Sequence, residues 1–291
     1  MSFDSLLDRI WGYDCETFAH DTLFVFINYR TKQKVVFHNA LPEDYQNFID
    51  EYNPILMGYN NNGFDKWILK CCLNNYTPEE IKEVADYIVN GGNAWDIDTG
   101  YAKLPTQIDL INCIIPRKSL KELEGNLCMN ITETTVPFDL PDKWNKKQYD
   151  EVLHYCTCDV EALFPIFDML MTRFKSKYIV AKICNVDTEY ALSLTDANLT
   201  AISLGAKRKE HNDSFLYEFP DVVDKNKIPN EFLNYIEMCR EHNNDLQYIK
   251  EHPMESLFID GLEIQVQLGG IHGFPTTGPF TYGESEVFKC E

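Results

Sequence analysis

Near the N-terminus the apolar positions fall in three short runs, residues 10–17, 22–29 and 34–38, with the turn-forming pairs His20-Asp21 and Arg30-Thr31 between them. Such runs bounded by turn residues predict a meander of antiparallel strands. Residues 42–51 carry apolar side chains at helical spacing (Tyr45, Phe48, Ile49), and the short apolar run 54–58 predicts a buried strand after that helix. Strand after helix implies a parallel addition to the sheet. Residues 64–73 predict a short amphipathic helix. Thr77-Pro78-Glu79-Glu80 carries an N-cap, a first-turn proline and a capping-box glutamate, which open a helix toward Val89 that Gly91-Gly92 stops. Residues 108–115 predict the fifth strand. Ser119-Leu120-Lys121-Glu122 is a second capping box, for a helix ending near Gly125 or Leu127. From 147 to about 181, Tyr149, Val152, Leu153, Cys156, Val160, Leu163 and Phe167 keep a helical period, fitting one long helix or two in series.

Three meander strands followed by alternating helices and strands is the order expected of a ribonuclease-H-like fold. That is an α/β mixed sheet, three antiparallel strands and then parallel ones, with helices on its faces. After residue 182 the character changes. Helical segments at 196–205 and 230–242 are joined by the polar stretches 209–214 and 220–229, residues 259–268 alternate like a strand, and Gly269-Gly270-Ile271-His272-Gly273 leads into a Gly/Pro/Thr-rich stretch. The expected division is therefore a domain over 1–181 and a smaller, mostly helical connecting region over 182–291.

Within that frame, four carboxylates and a tyrosine carry chemistry. Asp14 and Glu16 share one face of a strand, because side chains alternate with period two, so both can bind one ion. Their flanks Ile10, Trp11 and Tyr13 mark an interior strand, which weakens the alternative of a solvated acidic face. Gly58 to Asp65 forms a polar turn after a buried strand, with an aspartate opening the next helix. Asp65 either holds water on a second ion or simply caps that helix, while Asn60 and Phe64 can hydrogen-bond and stack on terminal nucleotides. Tyr155 and Asp159 lie four apart, about 40° around a helix, and can face one site. His154 offers a competing His-x4-Asp arrangement, but it lies about 140° from Asp159 on a continuous helix. Tyr155 is the preferred partner. Hard oxygen ligands select two Mg²⁺ or Mn²⁺ ions over zinc. One ion would generate the attacking hydroxide, and both would stabilise attacking and leaving oxygens. Without metal, aspartates crowded so closely repel, and the site is expected to be locally loose.

Composition narrows the partners. With 26 basic and 46 acidic residues the formal charge is −20, which disfavours broad attraction to a phosphate backbone and argues against a free-standing duplex binder. An acidic nuclease acting on a strand end is compatible, because metal neutralises the carboxylates and an end needs only a short cleft. Lys207-Arg208-Lys209 is at best a weak pointer to phosphate contact. No apolar run approaches the roughly 20 residues of a membrane span. The N-terminus lacks a secretory pattern, so the expected compartment is cytoplasmic, with the ten cysteines reduced.

Taken together, Asp14-x-Glu16, Asn60-x3-Phe64-Asp65 and Tyr155-x3-Asp159 resemble, in order and separation, the three motifs of the DEDD exonuclease superfamily, tyrosine subclass. The run 119–124 and Val136-Pro137-Phe138-Asp139 look like the proofreading domain of bacteriophage B-family DNA polymerases. Residues 195–201 and 268–273 are similar to the segment joining exonuclease to palm. The resemblance implies a 3′→5′ exonuclease that acts on single-stranded or frayed DNA 3′ ends and releases nucleoside 5′-monophosphates. In it Asp14, Glu16 and Asp159 hold one ion, Asp14 and Asp65 the other, and Tyr155 the water. Gln267 stands where the family's Tyr-x-Gly-Gly element has tyrosine, which leaves a partitioning role for Gly269-Gly270 open beside that of a close-approach turn. The palm motifs needed for polymerisation do not occur before Glu291, so no polymerase activity is expected. A separate polymerase half is a possible partner. A non-catalytic docking subunit and an RNA-trimming nuclease of the same superfamily stand as alternatives.

Overall fold

A short helix α1 (Phe3–Leu7) leads into β1 (Ile10–Thr17), which pairs antiparallel with β2 (Thr22–Asn28), and β2 in turn pairs with β3 (Lys34–His38). After α2 (Pro42–Tyr52) the chain returns as β4 (Ile55–Gly58), parallel to the other edge of β1. After α3 (Asp65–Leu73) and α4 (Pro78–Val89) it adds β5 (Gln107–Asp109), parallel to β4. The protein is thus a mixed α/β structure with a five-stranded sheet of order β3-β2-β1-β4-β5. This computed structural model describes residues 2–129, 131–206, 226, 228–242, 248, 251–252, 254, 256–259, 262–267 and 270–275.

Local chemistry sets the helix starts. In α4 the Thr77 hydroxyl accepts from the Glu80 N–H at 3.3 Å and the Glu80 carboxylate accepts from the Thr77 N–H at 2.8 Å. The same reciprocal pair, Ser119 with Glu122, opens α5 (Leu120–Asn126) at 3.2 and 2.7 Å. Each box satisfies amide groups that the first helical turn leaves without partners. The expected fifth strand over 108–115 is shorter in the structure. β5 ends at Asp109, and Leu110–Cys113 is a 3-10 turn, because the Asp109 carboxylate accepts from the Ile111 N–H at 3.3 Å and bends the chain out of the ladder.

Alternation along the strands makes two apolar layers. Ile10, Leu23, Val25, Ile27, Ile55 and Met57 face α6 (Lys146–Ile183), packing on Val152, Cys156, Val160, Leu163 and Phe167. Trp11, Tyr13, Phe24, Phe26 and Leu56 face α2, α3 and α4, meeting Tyr45, Phe48, Ile68 and Ile81. Each such side chain contributes roughly 1.5–3 kcal/mol by leaving water. Of the two helical options for 147–181, the structure has one continuous helix of 38 residues. The described cysteines are free thiols. Among the described residues no helix is long and apolar enough to cross a membrane.

Packing divides the chain into Met1–Lys207 and Arg208–Glu291. The change of character at 182 therefore falls inside the first unit. There α7 (Thr188–Ser193) and α8 (Asp196–Ser203) lie on α6, tied by Arg173 to Asp196 at 2.6 Å and by Arg9 to Glu189 at 2.7 Å. In the second unit the structure describes α9 (Asn230–Glu241) and a three-stranded antiparallel sheet, β6 (Leu257–Ile259), β7 (Leu262–Gln267) and β8 (Gly270–Pro275). That sheet adds to the helices expected after 182, and the expected single strand over 259–268 is corrected by the break between β6 and β7, where the sequence carries the dipeptide Asp260-Gly261. Gly270, expected in a close-approach turn with Gly269, opens β8, with Gln267 opposite it. Lys207-Arg208-Lys209 and Gly269 lie outside the described residues.

Gly12 decides how closely β1 and α6 approach. A Cβ there would stand 3.0 Å from Phe164 Cε1 and 3.2 Å from Val160 Cγ1. Gly12→Val is expected to destabilise the chain by about 1–3 kcal/mol through overpacking, read as a lower urea midpoint with an unchanged slope. An unchanged midpoint would mean that the interface has slack.

Candidate active site

Parallel strands that end on the same side offer their carboxyl-terminal edge as a binding crevice, and β1 and β4 do so here. On the α6 face of β1, Gly12 is followed at period two by Asp14 and Glu16. The close approach that Gly12 permits sets the α6 residues Cys156 and Asp159 against them. Carboxylate oxygens of Asp14 and Glu16 and the sulfur of Cys156 lie within 4.8 Å of one another. The Cys156 thiol donates to Asp14 Oδ2 at 3.6 Å. Burial, followed by the charges of Asp14, Glu16 and Asp159, pushes its pKa well up, so it is a protonated donor to the carboxylate and not a thiolate ligand.

Asp65 reaches the cluster from the far side of the sheet. It is the first residue of α3, buried, and accepts from the Cys15 thiol at 3.2 Å. Phe64 holds the N-cap position, so capping does not account for Asp65. Asp159 is buried one turn after Tyr155 on α6, and the charge of Asp159 bears on the Tyr155 hydroxyl. His154 is exposed and lies beside Cys158, with its ring nitrogens 3.8–3.9 Å from that sulfur.

Like charges brought together under burial raise one another's proton affinity. Burial raises Asp14 well above the ordinary carboxylate range, and Asp65, Glu16 and Asp159 add to it. Glu16 is raised by burial, then by Asp159 and Asp65, with Lys121 opposing. Burial lifts Asp65 to about 6 against hydrogen bonds from Cys15 and backbone amides. Asp159 is raised by burial, opposed by Lys121. Tyr155 is raised by burial and then by Glu16 and Asp159, so its hydroxyl keeps its proton. Buried carboxylate oxygens that repel in this way form a donor set suited to a hard divalent cation, whose charge reverses the local electrostatics.

Lys121, which the sequence showed only as part of a capping box, supplies a cation to this cluster. Its ammonium pairs with Asp159, sits 3.3 Å from Glu124 Oε2, donates to the Thr132 carbonyl at 3.1 Å and lies 5.0 Å from the centre of the Tyr155 ring. Nothing in the spacing of 119–124 signals that contact, because the loop between β5 and α6 alone brings it there. Asp109 was missed as well. Its two oxygens accept from the Asn60 and Asn62 N–H groups at 2.8 and 3.1 Å, holding the turn in which Asn60 adopts φ 59°. Below it Asn61 donates to Tyr13 Oη at 3.2 Å and to Gln107 Oε1 at 3.0 Å. The turn is thereby anchored, with Asn60 exposed at its surface and Phe64 half-buried.

A cleft of about 530 Å³ opens beside Glu16, lined by Thr17, Phe64, Lys82, Phe138 and Asp139 among others. Phe138 stacks on Phe18 at 4.7 Å. Lys82 joins Asp86 at 2.5 Å to Asp139 at 3.0 Å, linking α4 to the 138–139 loop across the cleft. Asn60 is absent from that lining, so of the two expected nucleotide contacts only Phe64 faces the cleft. A scan against protein-family models, a search of curated proteins and a search of solved structures each returned no match.

Carboxylates whose folded-state pKa is raised favour the folded state below their unfolded values, and that contribution is lost as pH rises through the raised value. Metal-free Asp65→Asn is therefore expected to melt above the native chain by a smaller margin near pH 5 than near pH 8, because the penalty on the ionised carboxylate builds up between its unfolded value and about 6 and the neutral amide escapes it. Thermal melts at the two pH values check this; an equal offset at both would show that Asp65 does not titrate between them. Millimolar Mg²⁺ or Mn²⁺ should raise the melting temperature of the native chain at the higher pH.

Proposed function

We propose that this chain is a metal-dependent 3′→5′ exonuclease of ribonuclease-H-like fold, acting on single-stranded or frayed DNA ends and releasing nucleoside 5′-monophosphates. The observation that carries this reading is the meeting of Asp14 and Glu16 of β1 with Cys156 of α6 within 4.8 Å, with Asp65 and Asp159 close enough to bear on their charge and Tyr155 beside Asp159. The motif resemblance to tyrosine-subclass DEDD exonucleases supplies direction and substrate, and with them a role as the proofreading part of a phage-type polymerase.

Asp14, Glu16 and Asp159 would hold one Mg²⁺ and Asp14 with Asp65 a second. When bound, such ions supply a hydroxide at neutral pH and stabilise charge on the attacking and leaving oxygens. The protein's own groups do the positioning. Tyr155 keeps its proton and offers an O–H beside Asp159, where it can orient a water molecule. Lys121 holds Asp159 and Tyr155 together and offsets part of the cluster's negative charge. Phe64 presents an aromatic face to the cleft for the terminal base, and Asn60 offers an exposed amide on the anchored turn. Acidic overall charge suits a nuclease that takes one strand end at a time, because strand contact is confined to the cleft and its rim.

Digestion of a 5′-labelled single strand in Mg²⁺ should give a ladder shortening from the 3′ end, abolished by chelation and reduced about 10³-fold by Asp14→Ala with Glu16→Ala. An unchanged ladder in that double variant would overturn the proposal. Tyr155→Phe, which keeps the ring over Lys121 and loses the hydroxyl, is expected to slow turnover about 10²-fold while strand affinity holds; equal loss of both would argue against water orientation.

A further inference from the structure

Trp95 is 74% exposed on the 3-10 turn Ala94–Asp96, where the Asn93 side chain accepts from its N–H at 3.3 Å. Its ring meets the buried Trp67 edge-on at 4.8 Å and 78°, and the Trp67 indole N–H donates to the Asn62 carbonyl at 3.0 Å. Lys66 Nζ lies 4.9 Å from the centre of each ring and 3.2 Å from Asn62 Oδ1, while Lys70 Nζ is 5.7 Å from the Trp67 ring. Among the described residues neither ammonium is paired with a carboxylate, whereas Lys82, Lys121, Lys146 and Lys177 all are. In a chain of charge −20, these two lysines stand on a pair of indoles of which one is exposed.

An exposed indole with one ammonium over its ring and a second over the neighbouring indole matches a base followed by its phosphates, which is how single-stranded nucleic acid is held without regard to sequence. Location points the same way. Lys66 follows Asp65 directly, Asn62 belongs to the turn that carries Asn60, and the segment from Val89 and Asn90 on the cleft wall leads in the chain to Trp95. We infer that Trp95, with Lys66 and Lys70, is a stacking platform for nucleotides upstream of the one being removed, holding a single strand whose 3′ end lies at the carboxylate cluster. This deepens the nuclease reading and rests on it for the position of the strand end.

The test is fluorescence and anisotropy titration of the full chain in Mg²⁺ with labelled oligothymidylates, protected by a phosphorothioate at the terminal linkage. One is a dinucleotide and the other about 12 nucleotides long, within the usual range of single-strand site sizes. Indole emission is expected to be quenched by the long strand and not by the dinucleotide. Trp95→Ala should weaken the long strand roughly tenfold, the loss of one stacked base, and leave dinucleotide affinity as it was, with Trp95→Phe restoring part of the loss. Equal affinity of Trp95→Ala for the long strand, or emission that does not move on binding, would overturn the platform. Digestion of an unprotected strand, run in parallel, separates the two readings. A chain that digests but ignores Trp95 retains the nuclease and loses the platform, one that binds through Trp95 but never digests does the reverse, and one that binds no strand loses both.

Discussion

Carboxylates gathered at the end of β1, with Glu16, Asp65 and Asp159 buried and Asp14 half-buried, are the constraint around which this structure is organised. Asp14, Glu16, Asp65 and Asp159 repel one another, and each is raised above its ordinary pKa first by the loss of water. Lys121 compensates part of that repulsion and packing withstands the rest. Two apolar layers clamp the sheet, and the absence of a side chain at Gly12 brings α6 onto β1 closely enough for Asp159 and Cys156 to reach the strand. The surrounding hydrogen bonds ease the repulsion locally: a thiol donates to Asp14, another thiol to Asp65, and a lysine ammonium to Asp159. Donor groups on every side of the cluster are what a site for hard cations needs if its oxygens are to stay in place.

The supporting residues divide the work. Asp109 spends its oxygens on backbone amides of the 60–62 turn and of its own 3-10 turn, so one carboxylate both ends β5 and anchors the loop beside the site. Lys121 draws the β5–α6 connection inward through Asp159, Glu124 and the Thr132 carbonyl. Both are partly or wholly buried polar groups satisfied by several partners, the condition under which such networks confer rigidity rather than instability.

Charge is distributed unevenly over this acidic chain. Lys82 at the cleft and Lys121 beside Asp159 are engaged with carboxylates, while Lys66 and Lys70 stand against tryptophan rings. A strand approaching such a surface would be gathered by local stacking and a few ammonium contacts, with little long-range attraction, because net charge of this sign opposes it beyond a Debye length or so.

Much of the architecture was legible beforehand. Strand and helix segments up to residue 109 follow from alternation, capping boxes and glycine stops, which are local and act over a few residues. Asp14 with Glu16, and Tyr155 with Asp159, are pairs whose shared face follows from strand and helix period alone, and His154 was set apart by the same geometry. Asp260-Gly261 carries a local hairpin signal that breaks the alternation of 259–268 between β6 and β7. Contacts made across the fold were not legible. The joining of Asp65 to the cluster through Cys15, the turn-anchoring role of Asp109, the insertion of Lys121 and the pairing of Trp95 with Trp67 depend on which loops meet in space. By itself the sequence determined the elements and the side chains that share a face within each, because those are set by backbone periodicity. Only the tertiary structure decided which faces meet and which charges are buried together, because burial and charge proximity are properties of the packed chain.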